Sequence, residues 1–284
     1  MGLETLRQLE RIDRRWIYLA VFIAVVVPFL TGLKLPVGTP SPAAVAVYDE
    51  IERLPEGSVV MLAIDYGPAS MPELEPMAKA VTRHCFQRNH RVLAMTLNPE
   101  AALMIRRAVD PVLEEMGKEY GVDFVDAGFK PGGLAVILGM GRDIHKVYGN
   151  QDARGNALSS LPMMRGVKSY DDIALMIDFA ASALPFTWIG FAHERYGLNM
   201  AAGVTAVMAT DLYPYWKSDQ LVGLINGMKG AAEYEQLVGA TGWGTLGMSS
   251  QSIAHLLIIL FIVMGNIGYL AGRRHRDAGR SGSA

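Results

Sequence analysis

The chain has 284 residues, 51% of them hydrophobic, and 26 lysines and arginines against 28 acids give a formal net charge of −2. That composition excludes an intrinsically disordered chain and supplies no polybasic surface for nucleic acid, so no nucleic-acid partner is expected. The single cysteine, Cys85, excludes an intramolecular disulfide, and stability has to come from packing.

The first element is an uninterrupted apolar run at 16–33, about 27 Å long as a helix and close to the hydrocarbon thickness of a bilayer. A second run of the same length lies at 253–270. Arg7, Arg11, Arg14 and Arg15 precede the first, and Arg273, Arg274, Arg276 and Arg280 follow the second. The inward flanks carry only Lys34, with no lysine or arginine at 230–253. The positive-inside bias therefore predicts a protein integral to the cytoplasmic membrane, with both termini cytoplasmic (tails 1–15 and 271–284) and the residues between the helices outside. A cleaved signal is the competing reading of the first run, but that run exceeds a usual signal core, and the nearest Ala-x-Ala, at Ala44 and Ala46, lies well past it. Inverted insertion, with a cytoplasmic domain, is a further alternative. Pro28 predicts a kink or an early stop in the first helix.

Between the runs, 34–57 reads as a Pro-rich exit linker and a short helix. The body, 58–240, alternates apolar runs with amphipathic stretches. Strands are predicted at 58–64, 91–97, 122–125, 173–177 and 203–209, each short and rich in β-branched or other apolar residues, as strands buried on both faces are. Helices are predicted at 71–87, 99–120, 133–139, 186–196 and 218–238, the last with Ser218 and Asp219 as caps and Glu233 and Glu235 on its outer face. The segment 141–170 breaks this rhythm. It is polar and Gly-punctuated, and reads as a lid, a partner contact or a mobile excursion. A Gly-rich link, 241–252, leads back to the second apolar run. Parallel strands need crossover connections, so the alternation predicts an α/β fold: a doubly wound, mostly parallel five-stranded sheet, Rossmann-like or flavodoxin-like, held between two transmembrane helices.

Ligands of open parallel sheets bind beyond the carboxyl ends of the strands. The predicted ends carry Asp65, Asn98, Asp126, Asp178 and Asp211, with Lys130 and Ser182 in adjoining loops. Asp65, Asp126, Asp178 and Asp211 on one rim would suit a divalent cation held by oxygen ligands, an amine, or a carboxyl of raised pKa. The plain alternative is that each aspartate caps the helix after its strand. No G-x-G-x-x-G or P-loop pattern follows any strand, so no nucleotide cofactor is indicated and the cofactor is left open. His193-Glu194 lacks the second histidine of a zinc-protease motif. Met163 and Met164, and Tyr213, Tyr215 and Trp216, are candidate partner contacts, because rigid aromatic surface binds at low entropic cost.

From 34 to 251 the chain has 18 basic against 24 acidic residues, a net of −6. An acidic domain on short tethers with no reaction motif points away from an enzyme. It suggests a membrane-anchored scaffold or accessory subunit that assembles with itself or with another envelope complex. The competing function is an enzyme or a ligand or metal sensor acting at the carboxylate rim.

Overall fold

The computed structural model describes residues 13–281. Its contacts divide it into a unit of terminal helices and a body spanning Val37–Thr245. In the terminal unit, α1 (Arg14–Thr31) runs through Pro28 and stops three residues later, where Gly32 takes a left-handed conformation and its N–H bonds the Pro28 carbonyl. The helix thus continues past the proline, and the left-handed Gly32 marks its end. Trp16, Tyr18, Phe22 and Leu30 on α1 are exposed.

The body begins with α2 (Pro42–Arg53), where Pro42 occupies the first turn and needs no backbone donor. There follow β1 (Val59–Asp65), α3 (Met71–Gln87), β2 (Arg91–Thr96), a 3-10 turn and α4 (Ala102–Glu115), β3 (Phe124–Phe129), α5 (Leu134–Met140) and α6 (Ile144–Val147). Next come β4 (Leu175–Ala180) and α7 (Leu184–Trp188), which passes through a π-helical turn, Ile189–His193, into α8 (Glu194–Tyr196). The series closes with β5 (Met200–Val204), α9 (Ala206–Lys217), β6 (Gly223–Asn226), α10 (Gly227–Leu237) and α11 (Trp243–Ser281). The stretch Trp243–Leu270 of α11, like α1, is long and apolar enough to cross a membrane. Asn266 on it donates to the Ile262 carbonyl of its own helix at 2.8 Å, so its amide needs no second helix.

The six strands form one parallel sheet in the order β3-β2-β1-β4-β5-β6. Alternate side chains feed two cores. One face, with Met61, Leu93, Met176 and Leu224, packs beneath residues of α5, α6, α7 and α9. The other, with Leu62, Val92, Ile177 and Ile225, packs beneath residues of α2, α3, α4 and α10. Burial on both faces is why the strands read as continuous apolar runs, and each fully buried Leu, Ile or Met contributes roughly 1.5–3 kcal/mol.

Several expectations need correction. The sheet has six strands, not five, because β6 lies inside the stretch expected to be the helix 218–238. Gly223 explains the disguise. A Cβ there would stand 2.5 Å from Val47 Cγ2 and 2.7 Å from the Ala43 carbonyl, so glycine is what lets α2 approach the strand. The fifth strand is also earlier than expected: β5 ends at Val204, and the β-branched run continues into α9, which overrides its propensity. Ser218 accordingly ends α9, and Asp219 adopts a positive φ of 60° in the turn beyond it. Glu233 and Glu235 are buried, not on an outer face. Glu233 accepts from Ser41 Oγ at 2.7 Å and from Lys229, and Glu235 accepts from the backbone of Gly242, Gly244 and Thr245 and from the Thr245 hydroxyl. The segment 141–170 holds α6 and short 3-10 turns and inserts Ile144, Tyr148, Leu158, Met163, Met164, Val167 and Tyr170 into the first core.

Candidate site at the carboxyl edge of the sheet

Strand order reverses between β1 and β4: the chain builds outward from β1 through β2 and β3, then returns to β1's other side. That boundary is where a parallel sheet opens a crevice at its carboxyl edge. Two carboxylates meet there. Asp65 ends β1 and shares the face of Met61 and Ala63; Asp178 lies within β4 and shares the face of Met176, because side chains two apart point the same way. In register, Ala63 pairs with Asp178 and Asp65 pairs with Ala180, a diagonal that brings the carboxyls within hydrogen-bonding reach of each other.

Both are buried, at 1% and 0% exposure, but they are satisfied differently. Asp65 Oδ1 accepts from the Leu97 N–H at 2.6 Å and from Thr96 Oγ1 at 2.8 Å, while the Trp188 indole lies 3.4 Å from Oδ2. Among the described residues, neither oxygen of Asp178 meets an N–H or hydroxyl donor. Only a proton on one of the two acids would supply Asp178 with a hydrogen bond, from Asp65. Burial, and then the Asp65 charge, push the Asp178 carboxyl well up from its ordinary range. Burial also raises Asp65, against the lowering effect of its donors. Tyr148, 6% exposed, brings to the same region a phenol with no hydrogen-bond partner among the described residues, and burial followed by the charges of Asp65 and Asp126 raise its pKa. Lys130 stands 5.8 Å from the centroid of the Tyr148 ring.

The other expected residues divide. Asn98 stays at the rim: its amide reaches toward the Asp65 carbonyl at 3.5 Å and its Oδ1 accepts the Glu100 N–H. Asp126 points to the opposite face, in step with Phe124, where its Oδ1 accepts the Gly128 N–H at 2.8 Å and braces the register shift of β3. Burial pushes this carboxyl up to about 6. Asp211 is exposed on α9 and does not end a strand, and Ser182 is exposed, its hydroxyl accepting from Leu184 N at 3.4 Å. The four aspartates therefore do not gather on one rim, and among the described residues no group of three or more His, Cys, Asp or Glu side chains is arranged to hold a metal ion. Helix capping does not account for the pair either, since α3 starts from Ser70 and α7 from Ala183.

Met163 and Met164 are each 1% exposed and fill the core, which corrects their reading as contacts. Tyr213, Tyr215 and Trp216 are half-buried, with Tyr215 edge-on to Phe186 and Tyr213 edge-on to Trp216. Sequence reasoning missed Trp188, Thr96 and Tyr148. A signal existed for Trp188: a buried indole needs an acceptor, and an aspartate ending a buried strand is the available one.

Comparison with protein-family models, with curated proteins and with solved structures finds no match. The site is therefore read from its own chemistry.

Proposed function

We propose that the chain is a membrane-anchored, non-catalytic scaffold or accessory subunit, integral to the cytoplasmic membrane, with both termini cytoplasmic and the α/β body outside. The strand order and the helices on both faces support a doubly wound, Rossmann-like description of that body. The observation that carries the functional reading is that the crevice at the β1/β4 boundary is filled from within: Trp188, fully buried, spans to Asp65, and neither carboxyl is exposed. A fold that fills its usual ligand crevice with its own indole is left with its surface for function. The half-exposed aromatics Tyr213, Tyr215, Trp216 and Phe186 supply a surface suited to assembly with a second copy or with another membrane complex.

Light scattering of the full chain purified in mild detergent tests this. Oligomers or a stoichiometric co-purifying partner are expected, and Tyr213→Ser with Trp216→Ser should weaken the association. A strictly monomeric particle with no partner contradicts the scaffold reading.

One observation favours a second reading, a ligand sensor or enzyme at the rim: Asp178 is fully buried with no donor among the described residues, and perturbed buried acids concentrate at functional sites. Under that reading a small cationic ligand would bind between Asp65 and Asp178 and displace Trp188. Quenching or a shift of tryptophan emission by simple amines, absent in Trp188→Phe, would support it.

A further inference from the structure

On the outer surface of the 141–170 segment, Gly139, Arg142, Asp143, Lys146, Val147 and Lys168 line an open depression of about 410 Å³. Its floor forms because Gly139 has no side chain: a Cβ there would lie 2.6 Å from Val147 Cγ2. Its walls are fixed to each other. The Ile144 N–H bonds the Lys168 carbonyl at 2.7 Å, and His145 Nε2 lies 2.8 Å from the Val167 carbonyl. Asp172 Oδ2 accepts the Lys168 N–H at 2.7 Å and the Ser169 N–H at 3.1 Å, holding the second wall. Thus two backbone segments distant in sequence are tied so that their cations share one concavity.

The charge in that concavity runs against the rest of the body. Three cations face one carboxylate, whereas the residues from 34 to 251 are net acidic. Asp143 is already engaged: its Oδ1 accepts the Lys146 N–H at 3.1 Å, and Lys146 Nζ lies 3.4 Å from Oδ2. Its carboxyl is held below the usual range first by that backbone bond and then by the charges of Lys146 and Lys168. Among the described residues, neither Arg142 nor Lys168 makes an ion pair with a carboxylate. Both are exposed, with their charges available to a ligand.

We propose that Arg142, Lys146 and Lys168 form a binding site for a phosphate-bearing anion. A guanidinium can bond two phosphate oxygens at once, and two ammonium groups add point charges around the rest of the group. Asp143, the one carboxylate in the lining, opposes a larger polyanion, so a single phosphoryl group is the class that the site should take. The phosphate could be carried by a lipid headgroup or by a free metabolite, and the chemistry of recognition is the same.

The test uses the full chain in phosphatidylcholine nanodiscs. In one arm, inorganic phosphate is titrated by calorimetry; in the other, the protein is floated with vesicles of phosphatidylcholine that carry or lack phosphatidic acid. The site predicts saturable, salt-sensitive binding in at least one arm, weakened at least tenfold by Arg142→Ala, Lys146→Ala and Lys168→Ala combined. Calorimetric binding alone assigns a free anion, and flotation dependent on phosphatidic acid assigns a headgroup. The three side chains are exposed, so the variant should melt like the parent; should it not, Lys146→Glu with Lys168→Glu in an otherwise parental chain gives the same comparison. Absence of binding in both arms, or binding unchanged by the substitutions, overturns the proposal.

Discussion

The most unusual residue in the body is Asp178, an acid buried in the middle of a parallel sheet with another acid as its neighbour. Its pKa is raised on folding, so the sign of its effect is fixed. Below pH about 4 the carboxyl is neutral in both states and costs nothing; as pH rises, the unfolded chain ionises while the folded one resists, and stability is lost. Asp178→Asn removes that ionisation and offers Asp65 a permanent N–H donor. It should therefore stabilise the body at pH 8, by on the order of 1–3 kcal/mol, with the advantage vanishing near pH 4. Thermal melting of the two proteins across that range checks it; equal gains at both pH values would contradict a carboxyl whose pKa is raised on folding. Asp126, raised to about 6, acts in the same direction over the window from about pH 4 to 6. Asp65→Ala should do the opposite of Asp178→Asn. It strips the acceptor from the Leu97 N–H, Thr96 and Trp188 and should cost roughly 2–4 kcal/mol at pH 4, where the ionisation of the two buried acids contributes least, measured by denaturant titration.

At the scale of elements, the close contacts are made where side chains are missing or buried acids stand in for caps. Gly223→Ala should push α2 off β6 and cost about 2–3 kcal/mol, because Val47 and the Ala43 carbonyl occupy the space a methyl would need. Glu235 receives four donors from residues 242–245, and Glu235→Ala should fray the first turn of α11, seen as faster amide exchange at Gly244 and Thr245 with about 2 kcal/mol lost locally. These contacts also separate what was legible from what was not. Helix α3 was readable to the residue, because Leu74, Met77, Ala78, Val81 and Cys85 keep a helical period along one buried face. Strands β1 and β2 were readable because both their faces are covered. Strand β6 was not, since four residues with a glycine at the first position carry no period of their own and depend on α2 to define them. For the site, Asp65 and Asp178 were legible as acids near strand ends. That they pair, while Asp126 turns to the other face and Asp211 rides on a helix, depends on the parity and bounds of each strand, which a shift of one residue reverses.

For the whole molecule, two apolar helices are flanked in sequence by arginines on their terminal sides, and the placement proposed for the folded body follows from that asymmetry. The cysteine content gives a clean way to ask. Cys85 is fully buried, and burial pushes its thiol up to about 12, so the native chain offers an impermeant maleimide almost no background. Ala157, exposed on the 141–170 segment with no side-chain bonds to lose, is the place for a reporter. Ala157→Cys in cells whose outer barrier has been opened, with the cytoplasmic membrane intact, should be labelled as fully as in lysed cells. Labelling only after the cytoplasmic membrane is permeabilised would put the body in the cytoplasm and contradict the account.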